Sequence, residues 1–411
     1  MIGRKARIRL GLLLALVAGI VALGLSLGSS DDDGVAAPTP RLAATACTRV
    51  VGAGANLASA LSDAAPGAVL CLRSGKYPGG RIPADATDKD SYVTLEPVPG
   101  KKPIIKGELA FDGARHLRLQ GLTFKQGLAF APAASNVQLI GNELTGPRGI
   151  FFFGDSSQGG HTSSILIRGN YIHDIDYTGS QETYNGYGIK SIGTQHGFLV
   201  KGNTIKSVGA DYLQTDHANE WTVEGNTFLG PSLARSHPQE HQDLWQVYAG
   251  GTNLEFIDNV ARNTATDQSL LFQMTYPNDH FSNVVVSNNL FDHDSRGYTC
   301  QIYQSSGLVF SHNTVVRSHW GCILRDEPGY PGGSGYRINH NIFAETEEGS
   351  DFSTEGSAGD WGAYDYNVSG DGAANGPHSV PHWKPSWVNR IDYRPRGLPF
   401  PAGYRRPTPA G

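Results

Sequence analysis

The sequence predicts an all-β fold, a single-stranded parallel β-helix solenoid, and three observations predict it. A short phrase of alternating apolar residues ending in Asn recurs along the chain. It reads VQLIGN (Asn142), ILIRGN (Asn170), FLVKGN (Asn203), WTVEGN (Asn226), LEFIDN (Asn259), VVVSNN (Asn289), LVFSHN (Asn313) and YRINHN (Asn341), with an echo in YDYN (Asn367). The spacing between these Asn residues ranges from 23 to 33, so the loops vary while one corner stays constant. A solenoid has this freedom, because each coil can bulge while its stacked corner cannot. Finally, the chain carries 52 Gly among 411 residues and only 17% charged residues, a composition of many tight turns and little helix.

Each part of the phrase has a physical role. Alternating apolar residues make a short half-buried strand. The Gly-Asn or Asn-Asn pair after several strands supplies a residue tolerant of left-handed backbone and a side chain that bonds local backbone. Stacked Asn amides can hydrogen-bond along the column and satisfy one another inside a narrow core. A β-propeller would need four strands and about 40 residues per repeat.

The two ends of the chain add a family likeness. CTRVVGAGANLASALSDAAPGAVLCLRSGKYPG, from Cys47, resembles the start of the right-handed parallel β-helix superfamily, which includes pectate lyases and related secreted polysaccharide lyases, epimerases and hydrolases. IDYRPRGLPFPAG resembles that superfamily's closing segment. The resemblance spans residues 45 to 404 and implies a right-handed solenoid over 45–370 with an N-terminal capping helix, followed by a Pro/Gly-rich capping segment over 371–411. It is specific for fold and weak for activity, because the superfamily hosts many chemistries. Signature strands of pectate lyases (Trp-Ile-Asp-His, a paired Arg motif) and of polygalacturonases (Asp-Asp, Gly-His-Gly) are absent from this chain.

The first forty residues stand apart. Arg4, Lys5, Arg7 and Arg9 precede an apolar run from Leu10 to Leu27, and GSSDDDG follows. This is the order of an export signal, and the run is also long enough for an uncleaved anchor with its basic end in the cytoplasm. Residues 1–30 are therefore expected to be a signal peptide or signal anchor and 31–44 a linker. The protein is expected to be secreted or held on the outer face of the membrane by that segment. Net charge is −5 with no basic run beyond the leader, which argues against nucleic acid as a partner. A monomer is expected. Four Cys in an exported chain suggest two disulfides, and sequence alone permits three pairings.

A second strand column aligns by residue type: YGIKSI (187–192), DYLQTD (211–216), DLWQVY (243–248), DQSLLF (267–272), YTCQIY (298–303) and WGCILR (320–325). In this alignment the third positions (Ile189, Leu213, Trp245, Ser269, Cys300, Cys322) and the fifth (Ser191, Thr215, Val247, Leu271, Ile302, Leu324) face inward. Cys300 and Cys322 then share a column on successive coils, about 4.8 Å apart, within disulfide reach. The capping helix implied by the resemblance accounts for the other pair, Cys47–Cys71, as a staple across it.

Alternation turns positions four and six outward. They read Lys190, Gln214, Gln246, Leu270, Gln301 and Ile323, then Ile192, Asp216, Tyr248, Phe272, Tyr303 and Arg325. Aromatics and amides on one face suit sugar rings, and apolar stripes rimmed by polar groups mark binding surfaces. Gln214, Gln246, Tyr248, Phe272, Gln301 and Tyr303 are the candidate substrate-binding residues. Lys190, Asp216, His217, His241 and Arg325 are the candidate catalytic residues. Asp211, Asp243 and Asp267 recur at the column's start, where they could hold calcium or bond turn amides; calcium is the candidate cofactor.

The expected partner is a polysaccharide. Cleavage of a uronate-containing glycan by β-elimination needs a cation or strong donors to neutralise the carboxylate, a base for the α-proton and an acid for the leaving oxygen. Lys190, Arg325, His217 and His241 can fill base and donor roles. A noncatalytic carbohydrate-binding or cell-surface structural solenoid is the alternative. Hydrolysis, which needs two carboxyl groups, and epimerisation follow behind.

Overall fold

A computed structural model describes residues 46–407 apart from 133, 155–160, 178–184, 231–241, 293–294, 327–332, 347–351, 356–362, 371 and 373–375. The leader and the linker lie outside the described residues.

The strands wind into a right-handed parallel β-helix. The Asn-phrase strands stack coil upon coil, with Val137, Ile165, Phe198, Trp221, Leu254 and Val284 in one parallel register. All six are buried. A second stack carries the expected second column, and its strands include Ile150–Phe153, Ile189–Ile192, Leu213–Glu224, Asp243–Ile257, Gln268–Gln273, Tyr298–Tyr303 and Trp320–Arg325. Two of these run on into the Asn-phrase strand of the same coil, so the two stacks merge into one sheet of 23 described strands. The third face was not apparent in the sequence. It is a separate sheet of 12 described strands, each opening just after a coil corner, such as Thr204–Val208 and Thr227–Leu229. Most of its strands are too short to show a periodic pattern of their own.

The Asn column is a continuous ladder. Oδ1 of each Asn from Asn170 to Asn367 accepts from both the backbone N–H and the side-chain Nδ2 of the preceding one, at 2.8–3.1 Å. Each Nδ2 also donates to a backbone carbonyl of an earlier coil, as Asn226 does to Val200 at 2.9 Å. The residue before the Asn must turn left-handed. Gly202 and Gly225 take φ near 62° there, and His312 and His340 take 56° and 57° in later coils. The two imidazoles lie parallel, 4.8 Å apart.

A helix lies against the first coils, and the C-terminal segment lies along the third face. Helix Leu57–Ser62, capped by Asn56 through the Ser59 N–H, buries Leu57, Ala60 and Leu61 against the first coils. Cys47–Cys71 and Cys300–Cys322 are the two disulfides, with Cα atoms 5.7 and 4.5 Å apart. Towards the C-terminus, Tyr393, Ala402 and Tyr404 pack with Leu290, Val316, Ile342 and Val368, the side chains that the third face turns away from the main core. Tyr393 donates its hydroxyl to the buried Asp292, which also pairs with Arg262 and Arg317.

One register expectation is corrected. Trp245 pairs with Leu270 and Val247 with Phe272, so the strand reads QSLLFQ rather than DQSLLF. Leu270 and Phe272 fill the core at 0% exposure, while Leu271 and Gln273 take the outward positions. A one-residue slip exchanges every side chain between faces, and only the larger pair fills the space beneath Trp245. Phe272 packs edge-on against that indole at 5.2 Å and is not a surface platform.

Candidate active site

The outward column of the second stack is Lys190, Gln214, Gln246, Leu271, Gln301 and Ile323. Its members are largely buried, Lys190 at 7% exposure and Gln246 at 0%. The Gln214 amide bridges Asp211 and Gln246, at 2.7 and 2.6 Å. The Lys190 ammonium lies 3.9 Å from the centre of the Tyr187 ring, a cation–π contact.

One column further, the face opens into a cleft of about 570 Å³ over four coils. Lys190 and Ile192 come from the first coil, Gln214, Asp216 and His217 from the second, Tyr248 from the third, and Gln273, Met274 and Tyr276 from the fourth. The second and third coils reach it through strand-to-strand bends. His217 and Ala249 take φ of 47° and 58° there, and at this bend the register shifts past Asp216. The kink turns the His217 ring outward, where its side chain is 42% exposed.

Asp216 is mostly buried and accepts the Gly193 N–H through Oδ1 at 2.5 Å. Burial raises its carboxyl above the usual range, opposed in part by the Gly193 hydrogen bond and the charges of His217 and Lys190. Its other oxygen is 4.0 Å from His217 Nδ1, within ion-pair reach but beyond a hydrogen bond. The opposite lip is a tight loop. The Asp279 carboxylate accepts the N–H groups of Thr275 and Tyr276, both at 2.6 Å, and holds the exposed Tyr276 ring 6.4 Å from that of His217. Sequence reasoning missed Tyr276, Gln273 and Met274, although the turn-forming Pro-Asn-Asp after Tyr276 was a usable signal.

The structure brings together Lys190, Gln214, Asp216, His217 and Tyr248. It does not bring Arg325 to them. Arg325 lies five coil steps from Lys190, roughly 24 Å at about 4.8 Å per step, beside Tyr303 (Nη1 to the hydroxyl, 3.3 Å). Gln301 donates to the same hydroxyl at 2.7 Å. His241 lies outside the described residues.

The three Asp residues proposed for calcium do not fit a cation. Asp211 and Asp243 are 0% exposed, and an oxygen of each accepts the backbone N–H of the next coil, at 2.7 Å from Asp243 and 3.0 Å from Gln268. Asp267 is displaced from that column by the register slip, accepts the Gln242 N–H and pairs with Arg296 at 3.1 Å. Among the described residues no three His, Cys, Asp or Glu side chains cluster as a metal site.

No family model and no curated protein matches the chain. Solved structures do. A surface adhesin of Streptococcus pneumoniae aligns at 12% identity over 68% of this chain and 85% of its own, with a TM-score of 0.48. An alginate lyase from Paenibacillus aligns at 15% identity over 75% and 99%, with a TM-score of 0.43. A family PL6 polysaccharide lyase from Pseudopedobacter saltans aligns at 13% identity over 87% and 97%, with a TM-score of 0.44. The likeness is one of fold. At such identities and scores it carries no argument about activity. Among the described residues no helix is long and apolar enough to cross a membrane.

Proposed function

We propose that the protein is an exported enzyme that cleaves a uronate-containing polysaccharide by β-elimination in the Lys190–His217 cleft. The observation that supports this is the convergence of an ammonium, an imidazole and two tyrosines on one open cleft, lined by Lys190, His217, Tyr248 and Tyr276. In this reading Lys190 offsets the uronate carboxylate, which acidifies the neighbouring α-proton. Neutral His217 removes that proton, the adjacent C–O bond breaks as a C=C bond forms, and a tyrosine hydroxyl protonates the leaving oxygen. Asp216, 4.0 Å from His217 Nδ1, supplies counter-charge to the imidazolium that results. No metal enters these steps.

The test is absorbance of the unsaturated uronate product when the purified protein meets a panel of uronate polymers, with calcium or with chelator. Turnover is expected; His217→Gln should lower it by roughly 10²–10⁴-fold, the range of a lost proton-transfer group, and Lys190→Ala by roughly 10²–10³-fold, the range of a lost electrostatic stabiliser. Absence of product from every polymer would remove the elimination reading for those substrates. Loss of turnover with chelator would place a cation back in the mechanism.

A further inference from the structure

Beyond the cleft, the same side of the solenoid carries a second cluster. The rings of Tyr298 and Trp320, on successive coils, lie 4.9 Å apart at 33°, and the His319 ring is 4.4 Å from Trp320. All three are partly exposed. The Arg325 guanidinium sits 5.8 Å from the centre of the Tyr298 ring and 5.9 Å from that of Tyr303. Gln301 and Arg325 both bond the Tyr303 hydroxyl. Arg296, 60% exposed, stands two residues before Tyr298. Aromatic faces next to guanidinium groups are the chemistry that holds a pyranose ring bearing a carboxylate. Core filling does not account for them, since the interior positions of these two coils are taken by Cys300, Ile302, Cys322 and Leu324.

We propose that Tyr298, Trp320 and Arg325 form a distal subsite that binds an acidic polysaccharide several sugar rings away from the cleft. The proposal rests on the reading of the cleft as the place where such a polymer is cut. Four to five coil steps separate Lys190 from this platform, roughly 19–24 Å at about 4.8 Å each, a span of several pyranose rings. The chain would lie along the solenoid axis, and the protein would discriminate by length. Arg325 thereby acts in binding, at a distance that excludes it from the reacting atoms.

The experiment measures binding of the full protein to polygalacturonate and to alginate, each as the polymer and as its trisaccharide, together with formation of unsaturated product. Trp320→Ala should weaken polymer binding by about tenfold, the scale of a lost aromatic anchor, and leave trisaccharide binding within twofold. Trp320→Tyr should restore most of the polymer affinity. A variant that merely folds badly would lose both ligands together, and Tyr restoration would not follow the ring. Equal affinity of Trp320→Ala and wild type for the polymers would overturn the platform while leaving elimination in place. Polymer binding that depends on Trp320 without any unsaturated product would keep the platform and overturn elimination. Failure of the wild type to bind either polymer would overturn the platform for these ligands.

Discussion

Replacing Asn226 by Ala removes one rung from the middle of the Asn ladder, and its cost can be worked from the bonds lost. The side chain accepts from Asn203 N and Nδ2, both at 2.9 Å, and donates to Val200 O at 2.9 Å and to Asn259 Oδ1 at 3.1 Å. The Asn226 backbone N–H keeps its bond to Asn259 at 2.8 Å. Four bonds at about 1 kcal/mol net each, with a further 1–3 kcal/mol for stranding the buried Asn203 N–H, give roughly 5–7 kcal/mol. The methyl group cannot offset this, because Asn226 is 1% exposed and water does not reach the rung. Urea unfolding followed by far-ultraviolet circular dichroism measures it, with Thr252→Ala as an exposed control expected within about 0.5 kcal/mol of wild type. Neighbouring coils share the ladder, so Asn226→Ala should also split or broaden the transition as coupling across the gap weakens. A loss below about 1 kcal/mol with an unchanged transition would show that the ladder marks the corner without stabilising it.

Three further outcomes follow from the geometry. Phe272→Ala should cost about 3–5 kcal/mol as a core truncation, whereas Tyr248→Ala should leave the unfolding midpoint near wild type and weaken polymer binding. An unfolding midpoint near wild type for Phe272→Ala, with polymer binding weakened as by Tyr248→Ala, would restore the unslipped register. For Asp216 the folded-state carboxyl titrates above its unfolded value through burial, so the folded state holds the proton longer and stability falls as pH rises from the unfolded pKa through the folded one. Asp216→Asn, which can still accept the Gly193 N–H, should flatten that fall; parallel denaturation profiles of the two proteins across the acidic range would contradict it. Removing the Cys300–Cys322 bond by double substitution to Ala should lower stability by about 3 kcal/mol, as expected for a loop closed over 22 residues. Midpoints of the oxidised wild type and the variant in urea decide that.

Much of the fold was legible because a solenoid writes one local rule many times. Asn142 to Asn367 all stand in a single ladder, and the residue before each could be read as the left-handed corner. The Cys300–Cys322 pair was legible for the same reason, since its strands hold equivalent positions on successive coils. The short third-face strands were hidden, because two or three residues cannot show a period.

The site was legible only in part. Lys190, Asp216, His217 and Tyr248 could be grouped because they lie on or beside one outward column. Tyr276 could not, since it reaches the cleft from a loop whose path depends on the Asp279 bonds. The register DQSLLF puts Phe272 on the wrong side, because Asp267 resembles the Asp that starts the preceding strands. Local likeness favoured one register, and the volume beneath Trp245 decided for the other.

The sequence by itself determined the stacked corner, the parallel coils and the Cys300–Cys322 disulfide, because each follows from residues repeated at equivalent positions. Only the tertiary structure decided which side chains meet. It put Phe272 in the core and committed Asp211 and Asp243 to backbone amides. It carried Arg325 roughly 24 Å from Lys190 at about 4.8 Å per coil. Distance along a solenoid counts coils, and facing depends on the parity of each strand's register; neither is written in any single repeat.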